Sequence, residues 1–368
     1  MRVLITGAAG FIAKNLCVKL REFSDIEVLS YTRESDPADL ARLVADADMV
    51  IHLAGVSRPA NIDEFWTSNV TLTRQLAKEL YADGRGLPLV FASSIQARLQ
   101  TPYGRSKWEA EQIVKAYGVA TGARTFIYRL PNVFGKWARP NYNSAVATFA
   151  HNIVHDLPIT VDDPAAPLQL VYVDDVVDEF VRLIREPSPP VEHPRVPTEY
   201  RTTVGEMADS LRAFKESRDT LTTPDVGTGL QRALHATYLS YLPPTRFSYP
   251  LPRHSDPRGD FVEVLKTHSA GQFSFFTAPP GITRGGHYHH SKTEKFLVLR
   301  GQARFRFRQV VSGITHQLNT TGDSPEVVET VPGWTHDITN VGDQDLIVML
   351  WANEVFNRNR PDTIAAAL

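Results

Sequence analysis

Val3-Leu4-Ile5-Thr6-Gly7-Ala8-Ala9-Gly10-Phe11-Ile12-Ala13 is the stretch that decides the fold. An apolar run of strand length breaks at Gly7, and a helical apolar pattern through Phe11, Ile12, Leu16, Cys17 and Leu20 follows at once. A glycine-rich turn at a strand–helix junction lets backbone approach a pyrophosphate, which the N–H groups and positive dipole of the helix N-terminus attract. Gly7 and Gly10 are therefore candidate cofactor residues. The spacing is Gly-x-x-Gly-x-x-Ala, so a tight structural turn is the other reading of the same residues.

Working outward, apolar runs at Val3–Thr6, Glu27–Thr32, Met49–Ala54, Leu89–Ala92, Thr125–Leu130 and Leu168–Val173 alternate with helix-length patterns. This alternation predicts an α/β Rossmann-like, doubly wound parallel sheet. At the end of the second run, where a carboxylate would bind a ribose 2′-hydroxyl, the chain has Arg33. An arginine there favours NADPH over NADH, the plain alternative being a solvated surface residue. Tyr103-Gly104-Arg105-Ser106-Lys107 puts a phenol and an ammonium on one helical face, where Lys107 is expected to lower the Tyr103 pKa and to anchor a ribose. Ser93 and Ser94 close the preceding strand, and either can polarise a carbonyl.

Composition bounds what remains. The chain has 368 residues, 39 Lys+Arg against 41 Asp+Glu, and a formal net charge of −2, which removes the electrostatic case for a nucleic-acid partner. One cysteine, Cys17, cannot form an internal disulfide and is expected to be a buried structural thiol, which favours the cytoplasm. No segment reads as a signal peptide or a membrane span. The Pro-rich piece from Glu186 to Pro197 is expected to be a loop inside the first domain. The domain boundary is placed in the Pro-rich stretch Tyr241–Pro257, giving domains 1–245 and 246–368.

Beyond that boundary short alternating runs at Gln272–Phe276, Glu294–Leu299, Ala303–Phe307 and Leu346–Trp351 predict an all-β barrel or jelly roll. Of the chain's 12 histidines, His287, His289, His290 and His336 stand out in this part. Residues two apart on a strand share a face, so His287 and His289 can meet Glu294 and, from a later hairpin, His336. Three histidines and one glutamate suit zinc, iron or manganese. His290 is expected to face the other way and lie on the surface.

Thr6–Ile12, His52-Leu53-Ala54-Gly55, Asn69, Ser93-Ser94, Tyr103–Lys107, Arg129–Gly135 and Tyr172–Asp175 resemble the motifs of extended short-chain dehydrogenase/reductases (SDR) of the nucleotide-sugar type. The resemblance spans roughly residues 1–240. It implies Tyr103 as acid/base, Lys107 as cofactor anchor and Ser94 as substrate-orienting hydroxyl. It also implies cofactor contacts from Phe11, Ile12, Leu53, Ala54, Gly55 and Asn69. Gly281 to Gly301 resembles the first cupin motif and Gly333 to Asn340 a looser second one. Asp256–Glu263 and Thr283–Tyr288 resemble deoxyhexulose-nucleotide epimerases, a likeness that implies His287 as the proton-abstracting base. A ligated imidazole nitrogen cannot accept that proton, so the two readings of His287 compete.

Asn141–Ser144, Tyr238–Pro243, Phe247–Pro250 and Gly286–His290 carry a resemblance, over essentially the whole chain, to the CapF/WbjC family of capsular and O-antigen polysaccharide enzymes. That likeness implies a bifunctional, cytoplasmic homodimer using NADPH and a divalent metal, zinc first. The cupin would epimerise C3 of a UDP-2-acetamido-2,6-dideoxy-4-hexulose. The reductase would convert its C4 ketone to the L-talose sugar, precursor of UDP-N-acetyl-L-fucosamine. Two other readings are an enzyme of single activity with a structural metal-bound cupin, and a dinucleotide-sensing binding protein.

Overall fold

The structure, a computed structural model, describes residues 1–186, 194–256, 259–262, 265–267, 271–354 and 359–368. It divides into two compact units, Met1–Ser144 with Leu168–Arg201, and Ala145–Pro167 with Thr202–Leu368. In chain order the first residues form β1 (Arg2–Thr6), α1 (Phe11–Leu20), β2 (Glu27–Tyr31), α2 (Asp39–Asp46), β3 (Met49–His52), α3 (Leu72–Asp83), β4 (Leu89–Ser94), α4 (Pro102–Thr121), β5 (Thr125–Leu130) and β6 (Asn132–Phe134). Then come α5 (Ala145–Val154), β7 (Pro167–Tyr172), α6 (Val173–Arg185), β8 (Tyr200–Thr203), α7 (Val204–Thr220), β9 (Thr222–Thr223) and α8 (Gly229–Leu239).

In the first unit a five-stranded sheet has the order β2-β1-β3-β4-β5, every neighbouring pair parallel. Parallel strands covered on both faces read as near-continuous apolar runs, and Val3, Leu4 and Ile5 are fully buried. Chain order reverses between β1 and β3, and in open α/β sheets ligands bind at the carboxyl ends beside such a switch. The run at Leu168–Val173, read from sequence with the other strands, becomes β7 of a separate sheet of order β6-β7-β8. Pro131, between β5 and β6, has no N–H to continue the ladder, and the chain changes sheets there.

In the second unit α5, α7 and α8 pack on one another. The strands that follow are β10 (Ser248–Pro250), β11 (Arg253–Asp256), β12 (Gly259–Val262), β13 (Lys266–Thr267), β14 (Gln272–Ala278), β15 (Thr283–Tyr288), β16 (Glu294–Arg300) and β17 (Gln302–Gln309). The last five are β18 (Thr315–Thr321), β19 (Glu326–Glu329), β20 (Trp334–Asn340), β21 (Leu346–Ala352) and β22 (Ile364–Ala365). Ten of these strands form two five-stranded antiparallel sheets, β10-β19-β16-β21-β14 and β18-β17-β20-β15-β22, while β11 pairs with β12 and β13 runs parallel to β9.

The five-stranded parallel sheet precedes residue 245 and the two five-stranded antiparallel sheets follow it, but β9 pairs with β13 across that point and packing groups α5, α7 and α8 with the barrel. Arg218 of α7 pairs with Glu329 of β19, and Arg232 of α8 donates to Ser291 Oγ at 2.8 Å. Residues 187–193 of the Pro-rich loop lie outside the described residues, as do Pro257, Arg258 and Glu263 of the Asp256–Glu263 motif. Cys17 sits in α1 and is partly buried, with burial pushing its thiol pKa up. Among the described residues no helix is long and apolar enough to cross a membrane.

Candidate functional site

A cleft of about 380 Å³ opens at the carboxyl ends of the parallel sheet. Gly7, Gly10, Phe11 and Ile12 line it from the β1–α1 turn, Leu53 and Gly55 from the end of β3, Ser93 and Ser94 from β4, and Tyr103 and Lys107 from α4. Gly7 has φ +69°, and a Cβ there would lie 2.6 Å from Ala54 Cα, so only glycine lets the turn pass this close to the β3 end. The Gly7 and Ala8 N–H groups donate to the Tyr31 carbonyl, tying the turn to the end of β2.

The two serines part company. Ser93 donates to Glu111 Oε1 at 2.5 Å, and Glu111, fully buried, is also held by a two-pronged Arg129 at 2.9 and 2.6 Å. Ser94 instead is hydrogen-bonded to the Tyr103 hydroxyl. Lys107 donates to the Ala92 carbonyl at 2.7 Å and lies over the Phe91 ring. Burial lowers its pKa to about 8, against the opposing pull of Glu111. Burial also raises the Tyr103 phenol, with the Ser94 hydrogen bond working the other way. The expected lowering of Tyr103 by Lys107 is thus corrected: desolvation of the phenol dominates, and Tyr103 stays a proton carrier at neutral pH.

Other sequence candidates stand further from the cleft surface. Asn69 lies behind it, accepting from the Val56 N–H at 2.8 Å and donating to Ser106 Oγ at 2.9 Å, so it braces the loop after β3. Ala54 backs the Gly7 turn. Arg33 is exposed, two residues beyond β2, outside the cleft lining. His52, a part of the motif without an assigned role, is fully buried between Thr6 Oγ1 at 2.5 Å and Thr73 Oγ1 at 2.8 Å, and burial lowers its pKa to about 3. It is a neutral core histidine. Nothing in the sequence beyond the family motif signalled these braces.

The barrel gathers the second set. His287, His289, Glu294 and His336 each offer a ligand atom, all within 4.8 Å of one another. His287 ends a β-bulge on β15, where Gly285 has φ +101° and a Cβ would lie 2.9 Å from the His336 carbonyl. The bulge brings β15 against β20 and sets His287 opposite His336. His289 follows β15 and Glu294 opens β16. His289 Nε2 is 3.1 Å, and His336 Nε2 3.7 Å, from Glu294 Oε2.

This donor set fits a divalent metal. His336 Nε2 is buried without a hydrogen-bond partner among the described residues. His289 Nδ1 must donate to the Asp362 carbonyl, which only accepts, so its Nε2 faces the Glu294 carboxylate acceptor to acceptor unless a second proton or a shared cation lies between them. Burial takes the His287 pKa to about 4 and lowers His336, keeping both imidazoles neutral, as ligation requires. For Glu294 burial acts upward, but the adjoining His289 and His336 imidazoles and the Lys292 ammonium hold the carboxyl well below its ordinary range. His290, expected on the surface, is 8% exposed and packs on Tyr288, away from the cluster. It turns to the opposite face, as alternation requires, but the fold covers that face too.

An extended SDR-type dinucleotide fold followed by an all-β, cupin-like barrel is the class these two units define. Residues 3–195 match the NAD dependent epimerase/dehydratase family, and residues 254–364 the polysaccharide biosynthesis C-terminal domain. The chain belongs to the NAD dependent epimerase/dehydratase family. A Pseudomonas aeruginosa protein named UDP-2-acetamido-2,6-beta-L-arabino-hexul-4-ose reductase is 54% identical over 368 residues, covering 100% of this chain and 99% of its own. The structure of capsular polysaccharide assembling protein CapF from Staphylococcus aureus is 41% identical with a TM-score of 0.69, covering 100% of both chains. RMD from Pseudomonas aeruginosa, complexed with NADPH, shares the fold at 22% identity and a TM-score of 0.52, over 58% of this chain and 82% of its own.

Proposed function

We propose that the protein acts on a UDP-linked 2-acetamido-2,6-dideoxy-4-hexulose, epimerising C3 in the barrel and reducing C4 in the dinucleotide unit. The product would be the UDP-linked L-talose sugar that precedes UDP-N-acetyl-L-fucosamine. The observation that carries the reading is the single cleft in which Ser94, Tyr103 and Lys107 meet the Gly7–Ile12 turn. The name of the Pseudomonas aeruginosa relative supports the substrate class. The domain division 1–245 and 246–368 assigns one task to each part. The near-zero charge supports a small-molecule partner rather than nucleic acid. We read the enzyme as a cytoplasmic homodimer with no membrane partner.

NADPH, bound at the Gly7–Ile12 turn with Leu53, Ala54, Gly55 and Asn69 around it, would supply hydride to C4. Arg33 supports NADPH over NADH, two residues past the strand end to which the turn is tied. Ser94 orients the ketone oxygen, and Tyr103, kept protonated by burial, gives its proton to that oxygen as the alcohol forms. The Lys107 ammonium anchors the cofactor's ribose. Its charge is present below about pH 8 and lost above, so NADPH affinity measured between about pH 6.5 and 9.5 is expected to fall across pH 8. A flat profile would remove the Lys107 charge from cofactor binding.

A divalent metal held by His287, His289, Glu294 and His336, zinc before iron or manganese, would supply Lewis acidity to the ketone, which acidifies the C3 proton. Lys292, 2.7 Å from Glu294 Oε1, brings a second cation to the same place. Incubating the protein in D₂O with this UDP-sugar, and following C3 deuterium uptake and NADPH oxidation separately, tests both steps. Chelation is expected to abolish deuterium uptake and leave NADPH binding intact. Uptake at full rate without metal would favour a second reading, a single-activity reductase whose barrel metal is structural. The completeness of four protein donors, three of them buried, speaks for that second reading.

A further inference from the structure

One hold on the candidate metal cluster comes from a residue outside it. His289 Nδ1 donates to the main-chain carbonyl of Asp362, 73 positions away in the chain. The Asp362 carboxylate meanwhile accepts three successive backbone N–H groups, from His290 at 2.8 Å and from Ser291 and Lys292 at 2.7 Å each. Ser291 Oγ adds a fourth donor at 3.2 Å. Successive N–H groups converging on one carboxylate form an anion nest, so the turn that carries His289 and leads to Lys292 is folded around this side chain. The same segment runs on as β22, whose Ala365 sits opposite His287, and the Ala366 N–H donates to the Gly286 carbonyl at 2.9 Å. His336 Nδ1 by contrast faces the carbonyl of Trp334, two positions back in its own strand, at 3.4 Å.

We infer that Asp362 is a positioning residue that sets the metal affinity of the barrel by fixing the His289 ring and the turn behind it. The inference rests on the metal reading of the four donors. A carbonyl accepts only, so it selects the tautomer with the proton on Nδ1 and leaves the Nε2 lone pair for the metal. The carboxylate fixes that carbonyl relative to the turn, so ring and backbone are oriented by one residue. Partners of this kind outside the ligand set typically change metal affinity by about 10- to 100-fold when removed.

The test uses the full chain, stripped of metal, with zinc affinity read by competition against a chromophoric chelator in the wild type, Asp362→Ala and Asp362→Asn. Zinc affinity is expected to fall by about 10- to 100-fold in Asp362→Ala and by less in Asp362→Asn, whose amide oxygen still takes the paired Ser291 and Lys292 N–H groups. The rise in melting temperature that zinc gives should shrink in the same order. A wild type that binds no zinc overturns the metal reading itself. A wild type that binds zinc, with variants of equal affinity, overturns only the role of Asp362. Variants that melt lower with and without zinc by equal amounts, at unchanged affinity, show a merely structural residue and overturn it too. Should Asp362→Ala fail to fold, the affinity of Asp362→Asn decides alone.

Discussion

Tyr103→Phe is expected to lower NADPH-dependent reduction of the UDP-linked 4-hexulose by about 10²–10⁴-fold, the usual worth of a positioned proton donor. The ring stays, so its packing against Phe65 is kept, and the loss is confined to one hydroxyl and its hydrogen bond to Ser94. NADPH binding should therefore persist, because the Gly7–Ile12 turn and Lys107 are untouched. Single-turnover NADPH oxidation, set beside NADPH titration, measures both. Reduction at the wild-type rate would displace Tyr103 from the chemistry. Loss of binding along with turnover would mean that the phenol holds the cofactor instead. C3 deuterium uptake, assigned to the barrel, should be unchanged in this variant. A wild type that binds NADPH yet never oxidises it would instead return the sensing-protein reading.

Local spacing carried most of this site. The i, i+4 relation of Tyr103 and Lys107 survives folding because α4 is regular from Pro102, its first turn capped by Thr101, whose Oγ1 accepts from the Gly104 N–H at 3.1 Å. The candidate metal donors were equally legible, since the two-residue spacing of His287 and His289 at the end of β15 and the glycines before them are local signals. What sets Ser93 apart from Ser94 was not, because the Ser93 hydroxyl is taken by Glu111 of α4, which Arg129 of β5 holds in turn. Direction of pKa shift was illegible for the same reason. Proximity in sequence announces the Lys107 charge, but the burial that outweighs it is a property of the assembled sheet. Asp362 belongs to no motif and reaches His289 through main-chain atoms, which carry no residue identity to read. The helices assigned by sequence to the first part pack in the second unit through side chains such as Arg218, whose partner Glu329 lies 111 positions on.

That partnership carries the largest expected effect on stability. Glu329 is 2% exposed and accepts from both Arg218 and Lys295, while Lys295 also donates to the Tyr249 hydroxyl at 3.0 Å. Removing one member of a buried, hydrogen-bonded charge set leaves the others uncompensated and costs about 3–5 kcal/mol. In Glu329→Gln two cations would face a neutral amide, with His235, buried and its Nδ1 without a partner among the described residues, close enough to feel Lys295. Urea unfolding of the full chain, followed through tryptophan emission, is expected to show the second unit losing that much unfolding free energy, its transition moving to lower urea, with the first unit's transition in place. Acid should reproduce the loss. Burial would raise the Glu329 pKa, but Arg218 and Lys295 bring it from its ordinary 4.5 down to about 2. The folded carboxyl therefore holds its proton less tightly than the unfolded one. Its contribution is fully present above 4.5 and disappears as pH falls through about 2, so the stability gap between wild type and Glu329→Gln should close across that window. A gap that stays constant down to about pH 2 would mean that the variant loses packing rather than charge pairing.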